Sequence, residues 1–355
     1  MIHRFPYEWR LEDTYFSKNR GKVFSCFACG GGATMGYKLA GFDVIGCNEI
    51  DPRMMEVYRR NHNPKYSYLE PIQTFKLRND LPDELYDLDI LDGSPPCSSF
   101  SLSGDREKAW GKQKKFREGQ ATQVLDTLFF DFIDLAAKLR PKVVIAENVK
   151  GLLIGEAMDY TRRIYDAFNQ AGYTCQHWLL NAADMGVPQR RMRVFFVAFR
   201  KDLASPFMER VNLFEERPRL ILDFNEPPIL FEDVADYSGR EVVSPEMRKR
   251  WEHRQEGDTD FSNVTQRLYG KILTFNTKFA YKYRICPTLV CIEECLIHFD
   301  RPQYLGKSEV CKISSFPMDF DFANQIPHYV CGMAVPPIMT ANIATEIYNQ
   351  WLSRL

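Results

Sequence analysis

The sequence predicts an α/β fold, a doubly wound parallel sheet with a second, smaller and irregular domain. Three observations point there. Over roughly the first 200 residues, short apolar runs alternate with stretches of helical periodicity, the pattern of strands joined by crossover helices. A glycine cluster, Gly30-Gly31-Gly32, stands just behind the first of those runs. After residue 200 the alternation gives way to sequence rich in charge and proline.

Taken in order, residues 22–27 (Lys-Val-Phe-Ser-Cys-Phe) read as a buried strand, followed by the glycine loop and a helix that starts near Thr34. Residues 43–47 form a second strand, and Pro52 opens the helix behind it, since proline suits a first helical turn. The apolar stretch 88–91 is a third strand, stopped by Gly93 and the prolines at 95 and 96. Residues 124–139 have helical spacing, with Leu125, Leu128, Phe129, Phe132, Leu135 and Leu139 on one side. A strand at 142–146, a helix at 161–171 and strands at 173–180 and 193–199 complete the pattern. Beyond 200, Ser244 caps a helix that begins at Pro245, and residues 338–351 form a final amphipathic helix that packs back on the first domain. The expected division is a first domain of residues 1–199 plus 325–355, with 200–324 as the second.

The chain has 355 residues, 45% hydrophobic and 26% charged, which is ordinary for a globular protein able to bury a large core. No apolar run approaches the ~20 residues that span a bilayer, and the N-terminus lacks a signal-peptide core. Ten cysteines scattered along a chain this long do not suggest a secreted disulfide scaffold, so a reducing interior is expected. Net charge is −1, so a nucleic-acid partner would have to be held by local patches. Residues 106–117 carry Arg106, Lys108, Lys112, Lys114, Lys115 and Arg117 against one acid, Glu107. Residues 271–292 carry Lys271, Lys278, Lys282 and Arg284 with no acid, interleaved with Phe275, Phe279, Tyr281 and Tyr283. Cations alternating with aromatics suit phosphates and bases; a solvated loop or strand face is the plainer alternative.

Four constellations carry chemistry. Cys97, in Asp92-Gly93-Ser94-Pro95-Pro96-Cys97, follows a strand on a stiff turn, where open α/β sheets place their sites. Its thiol would be activated by the cations that follow, and a buried inert cysteine is the alternative. The glycine loop lacks the dinucleotide spacing, but Glu49 at the end of the second strand stands where a ribose hydroxyl is accepted. Together they point to a nucleoside-bearing cofactor rather than a merely tight turn. Glu147-Asn148, just after the strand 142–146, offers an acid beside the nucleophile, or else a capping or salt-bridged glutamate. Arg191 and Arg193, two apart on a strand, share a face and could hold a carbonyl, phosphate or carboxylate. Cys26, Cys29, Cys291 and Cys295 lack metal-ligand spacing with histidine, so no metal is expected.

In this order these pieces resemble the cytosine-5 DNA methyltransferase family, bacterial or phage type. Residues 27–42 resemble its cofactor motif, 48–51 its ribose motif, Pro95-Pro96-Cys97 its nucleophile motif and Glu147-Asn148-Val149 its acid motif. Residues 189–193 resemble its Gln-Arg-Arg-x-Arg motif, 308–317 its ninth motif and 332–337 its tenth. The match spans nearly the whole chain except about 200–280, the family's target-recognition region.

The resemblance implies a Rossmann-like methyltransferase sheet with a target-recognition domain, and S-adenosylmethionine as cofactor. It implies double-stranded DNA as partner, a monomer with no membrane or metal, and a cytoplasmic place in a prokaryotic or phage-infected cell, in a restriction-modification setting. Carried over by position, Cys97 attacks C6 of a flipped-out cytosine, Glu147 protonates or hydrogen-bonds N3 with Asn148 orienting it, and Arg193, with Arg191, holds the cytosine carbonyl and the Cys97 region. Phe27, Ala28, Gly31, Gly32, Glu49, Ile50, Glu70, Pro71, Pro95, Leu128, Met333 and Ala334 fall at cofactor positions. Ser98, Ser99, Arg106, Lys108 and Lys112, together with Lys278 and Lys282, are expected to meet DNA. Three positions depart from the pattern: Cys29 replaces a usual glycine, Ser98 a common glutamine, and Met333 an asparagine. A tRNA-methylating relative would carry a Cys-Phe-Thr tripeptide, which is absent. A nicotinamide oxidoreductase leaves Glu147 and the arginines unexplained. Intact Cys97, Glu147 and Arg193 argue against a non-catalytic DNA-binding relative, though the Met333 departure leaves that reading open.

Overall fold

The strands form where the apolar runs fall, and they assemble into one seven-stranded sheet. The computed structural model describes residues 3–96, 113–114, 123–124, 127–155, 157–212, 216–273, 275 and 277–355, with backbone only at 113–114 and 123–124. Its chain divides into two compact units. The larger comprises Tyr15–Leu180, Met192–Asp223 and Thr340–Leu355; the other comprises Met1–Thr14, Asn181–Arg191 and Phe224–Met339.

In the larger unit, strands β1 (Lys22–Cys26), β2 (Asp43–Glu49), β3 (Tyr66–Leu69), β4 (Ile90–Gly93), β5 (Val143–Val149), β6 (Tyr173–Asn181) and β7 (Met192–Arg200) lie in the order β3-β2-β1-β4-β5-β7-β6. Strands β1 to β5 are mutually parallel. A parallel sheet is covered on both faces, so its strands are apolar throughout rather than alternating; Val143, Val144, Ile145 and Ala146 are all buried. Strand β7 departs from the expected all-parallel arrangement and runs antiparallel to β5. Only ten residues separate β6 from β7, and a parallel crossover needs a dozen or more, usually helical.

Helix α1 (Gly32–Leu39) opens on the glycine loop, and Phe42 behind it is fully buried. Helix α2 (Pro52–His62) is started by Asp51, whose side chain accepts the Arg53 N–H at 2.8 Å, and ended by Asn63 in the left-handed region. Helix α3 (Leu128–Leu139) presents Leu128, Phe129, Phe132, Leu135 and Leu139 to the core, as the spacing predicts. It begins at 128, and residues 123–124 pair with 113–114 in a short antiparallel ribbon. Helix α4 (Ala157–Gln170) starts four residues earlier than expected, and Thr161 turns inward to donate to the Leu152 carbonyl. These helices and strands share one core in which Phe24, Leu91, Phe132, Val144 and Phe196 are sealed from solvent. Each such side chain contributes about 1.5–3 kcal/mol.

The C-terminal helix α5 is Pro337–Gln350. Tyr348 meets Phe42 edge-on, and Trp351 stacks on Phe199 at 4.4 Å between ring centroids. Composition alone would let Pro327–Arg354 cross a membrane, contrary to the expectation that no apolar run is long enough. The 18-residue window of that stretch that meets this test is 89% buried inside the fold, as a core helix is.

In the other unit, Ser244 caps helix Pro245–Glu252 by accepting from the Met247 amide, as its sequence predicts. Helix Phe261–Tyr269, capped by Asp260, packs with it around Val242, Phe279, Ile297 and Tyr304. Strands Lys278–Ala280 and Leu296–His298 pair in parallel beneath.

Candidate active site

The register of the sheet brings the chemically suggestive segments to one edge of the larger unit. Cys26 pairs with Asn48 on one side and Gly93 on the other, and Gly93 with Ala146. The carboxyl ends of β1, β2, β4 and β5 are therefore level, and from them emerge the glycine loop, Glu49, the Ser94-Pro95-Pro96 turn and Glu147-Asn148. Ligands of open α/β sheets bind outside such strand ends.

The loop after β1 is wound tightly. Phe27, Cys29 and Gly31 have φ of 52°, 48° and 87°, all in the left-handed region. For side-chain-bearing residues that conformation costs roughly 1–2 kcal/mol and collects at ligand clamps. A left-handed Cys29 is the position the family's usual glycine would suit. Gly31 has no room for a side chain: a Cβ there would lie 2.0 Å from His62 Nε2. Burial and Lys38 hold the proton affinity of that histidine well below the usual range.

Glu49 is buried, and its carboxylate ties the loop down. Oε2 accepts the Cys29 amide at 2.7 Å, and Oε1 accepts those of Ile50 and Asp51 at 2.8 Å each. Burial raises its pKa, and the three N–H groups work in the opposite direction. Phe27 is half-buried against Phe132 of α3, and Leu128 lies in the same core. Glu70 is held by Arg78 and Thr74 at 2.9 Å, and its carbonyl by Asn48; Pro71 precedes a single helical turn, Ile72–Phe75. Among the cofactor candidates, Phe27, Ala28, Gly31, Gly32, Glu49, Ile50, Glu70, Pro71, Pro95 and Leu128 belong to the larger unit. A glycine cradle with no space for a Cβ, beside a buried carboxylate and a partly open aromatic ring, fits a nucleoside-bearing group.

Around the nucleophile segment, Asn148 Nδ2 donates to the Pro95 carbonyl at 3.1 Å, and its Oδ1 accepts the Val149 amide at 2.9 Å. Arg193 Nε pairs with Glu147 Oε1 at 2.8 Å, both side chains largely buried. Cys97, Ser98, Ser99, Arg106, Lys108 and Lys112 lie outside the described residues.

The Arg191 and Arg193 guanidiniums have different partners among the described residues. Strand β7 begins at Met192, one residue after Arg191. The Arg191 guanidinium is sealed in the other unit, where it donates to the carbonyls of Leu289, Gly332 and Ala334 at 3.1, 2.9 and 2.9 Å. Met333, between the last two, is exposed. Of the candidate DNA contacts, Lys278 is exposed, and Lys282 pairs with Asp300 at 2.8 Å with its ammonium over the Tyr237 ring. Among the described residues no group of three or more metal-ligating side chains comes together.

Sequence reasoning missed one buried group at this edge. Asp92 of β4 accepts from Ser25 Oγ at 2.8 Å and from Tyr37 Oη at 2.9 Å. Burial, with a smaller push from Glu147, raises its pKa to about 7. A carboxylate interrupting the apolar run Ile90-Leu91-Asp92 was the available signal.

Comparison with known proteins agrees with this geometry. A family model, C-5 cytosine-specific DNA methylase, matches residues 21–349. The chain is 36% identical over 182 residues to Type II methyltransferase M.FnuDI of Fusobacterium nucleatum, covering 51% of this chain and 48% of that one. It is 28% identical over 385 residues to Type II methyltransferase M.DdeI of Desulfomicrobium norvegicum, covering 92% and 88%. Several curated relatives, M.FnuDI among them, are thus matched over only about half their length. Two solved structures share the fold. A putative DNA modification methyltransferase of an E. coli prophage has a TM-score of 0.61 at 21% identity, covering 93% of this chain and 99% of that one. A DNMT2 variant from Spodoptera frugiperda has 0.62 at 17%, covering 92% and 99%. With a family model matched across most of its length and the glycine loop, the Ser94-Pro95-Pro96 turn and the Glu-Asn pair at one sheet edge, the chain belongs to the C-5 cytosine-specific DNA methylase family.

Proposed function

We propose that this protein methylates C5 of a cytosine turned out of duplex DNA, using S-adenosylmethionine. The observation that carries the reading is the Asn148 bond to the Pro95 carbonyl, which ties the acid segment to the turn two residues before Cys97. Cytosine C5 is a poor nucleophile. Addition of the Cys97 thiolate to C6 makes C5 an enamine carbon, splitting one hard step into two. Glu147, held by Arg193, protonates N3 or hydrogen-bonds to it, so that a proton from its carboxyl group offsets the negative charge that thiolate addition builds there. When bound, S-adenosylmethionine supplies an electrophilic methyl group. Loss of the C5 proton to a base, with departure of Cys97, then restores the aromatic ring. The base leaves the stack at a cost of a few kcal/mol, which contacts from Arg106, Lys108, Lys112, Ser98 and Ser99 to the flanking strand would offset, with Lys278 and Lys282 binding phosphate from the target-recognition region. Of the cofactor, Glu49 would hold a ribose hydroxyl, Phe27 the adenine, and the Gly31-Gly32 turn the methionine end.

The test starts by sequencing DNA from cells expressing the chain, to find the modified cytosine. A duplex with 5-fluorocytosine at that site should then trap a covalent complex, because fluorine blocks the final elimination. Cys97→Ser should bind S-adenosylmethionine yet transfer nothing. Turnover by that variant, or no trapped complex on a verified site, refutes the reading.

A further inference from the structure

The glycine loop and the nucleophile turn leave adjacent strands, and one buried carboxylate touches the roots of both. Asp92 is 4% exposed. Ser25, which donates to its Oδ2, stands two residues before the left-handed Phe27. Tyr37, which donates to its Oδ1, belongs to α1, the helix that the glycine loop opens. Asp92 itself lies five residues before Cys97 and pairs in register with Ser25 and Ile145. Three elements therefore meet at one side chain: the strand leading into the loop, the helix leaving it, and the strand leading to the nucleophile. Nothing in methyl transfer as set out above uses this group.

We infer that Asp92 is a positioning residue, whose carboxylate holds Ser25 and Tyr37 together and so fixes the glycine loop relative to the nucleophile turn. The inference rests on that loop holding S-adenosylmethionine. Only the ionised carboxylate accepts from both hydroxyls. Once protonated it must find an acceptor of its own, and one of the two bonds reverses or breaks. The titratable groups facing it are Cys26 of β1, Tyr37 of α1, Tyr58 of α2 and Glu147 of β5. The cysteine and both tyrosines are themselves pushed well above their ordinary values by burial, whereas burial raises the Asp92 carboxyl to about 7. The sign follows. As pH falls through about 7, Asp92 takes up a proton, the brace loosens, and cofactor binding weakens.

The experiment is titration of the full chain with S-adenosylmethionine between about pH 5.5 and pH 8.5, with single-turnover methylation measured alongside. Wild-type affinity should fall about tenfold toward the acid end, which equals about 1.4 kcal/mol. Asp92→Asn should be weaker by about the same factor at the alkaline end and flat across the range. Tyr37→Phe and Ser25→Ala each remove one donor to the carboxylate, so their acid limbs should move to higher pH. These two milder variants carry the test if Asp92→Asn does not fold. An acid limb unchanged in Asp92→Asn, or weakened binding with an unshifted limb in both hydroxyl variants, overturns the proposal while the cofactor reading stands. Wild type that binds no S-adenosylmethionine at any pH overturns both.

Discussion

Replacing Arg191 and Arg193 in turn tests the proposed division between a residue that holds the fold and one that serves the reaction. The Arg191 guanidinium is 1% exposed and donates to three backbone carbonyls, of Leu289, Gly332 and Ala334. Arg191→Met fills much of the same volume but leaves those acceptors without their donor. Each buried unsatisfied group costs about 1–3 kcal/mol, and partial collapse of the site brings the net loss to about 3–5 kcal/mol, as for other broken buried charge networks. At ~2–3 °C per kcal/mol, the melting temperature should drop by roughly 6–15 °C. Arg193 is a different case. Its partner Glu147 remains 13% exposed and can rehydrate, so Arg193→Met should cost only about 1–2 kcal/mol of stability. Its methyl transfer should nevertheless fall by roughly 100-fold or more, because Glu147 loses the cation that orients it. The assays are a thermal melt and single-turnover methylation, both at a temperature where each variant is folded. If Arg191→Met melts within about 1 °C of wild type while losing methyl transfer as fully as Arg193→Met, the division of roles is wrong.

Two further substitutions probe the same edge. Asn148→Ala removes the donor to the Pro95 carbonyl, worth about 1–2 kcal/mol. The single-turnover rate should fall roughly 10- to 30-fold with cofactor affinity unchanged, and a change in affinity alone would contradict the placement of Asn148. Gly31→Ala meets two obstacles, a φ of 87° and a Cβ 2.0 Å from His62 Nε2. Cofactor affinity measured by equilibrium dialysis should drop at least about tenfold, and wild-type affinity would show that the loop does not hold the cofactor.

Legibility in the sequence followed the physics of each element. Strands β1, β2, β4 and β5 are parallel and covered on both faces, so they show themselves as mainly apolar runs, interrupted in β4 by Asp92. Strand β3 (Tyr-Ser-Tyr-Leu) lies at the sheet edge, half-exposed, and no periodicity marks it. The helix Phe261–Tyr269 went unread although Asp260 before it and Gly270 after it are ordinary start and stop signals. The nucleophile turn, the glycine loop and the Glu-Asn pair are each local in sequence and could be found one by one. Asp92, Tyr37, Ser25 and His62 could not, because their meaning lies in contacts across 30 to 70 residues that no local spacing encodes. The expectation of two arginines on one face rested on alternation within a strand, and β7 begins at Met192, one residue after Arg191.

Glu49 shows why a motif residue should be read through its hydrogen bonds before it is given a ligand. An ionised carboxylate has about four acceptor positions. In Glu49 three are taken by backbone amides, those of Ile50 and Asp51 on Oε1 and that of Cys29 on Oε2. Only one position, on Oε2, is left for a ribose hydroxyl unless the Cys29 amide gives way. The same atom that would greet the cofactor therefore also holds Cys29 in its left-handed turn. On the proposed reading, a ribose hydroxyl competing for Oε2 would pull on the glycine loop that Cys29 belongs to. Cofactor binding and methyl transfer would then both depend on buried carboxylates, Glu49 at the end of β2 and Asp92 on β4, each fixed by groups that the sheet places beside it.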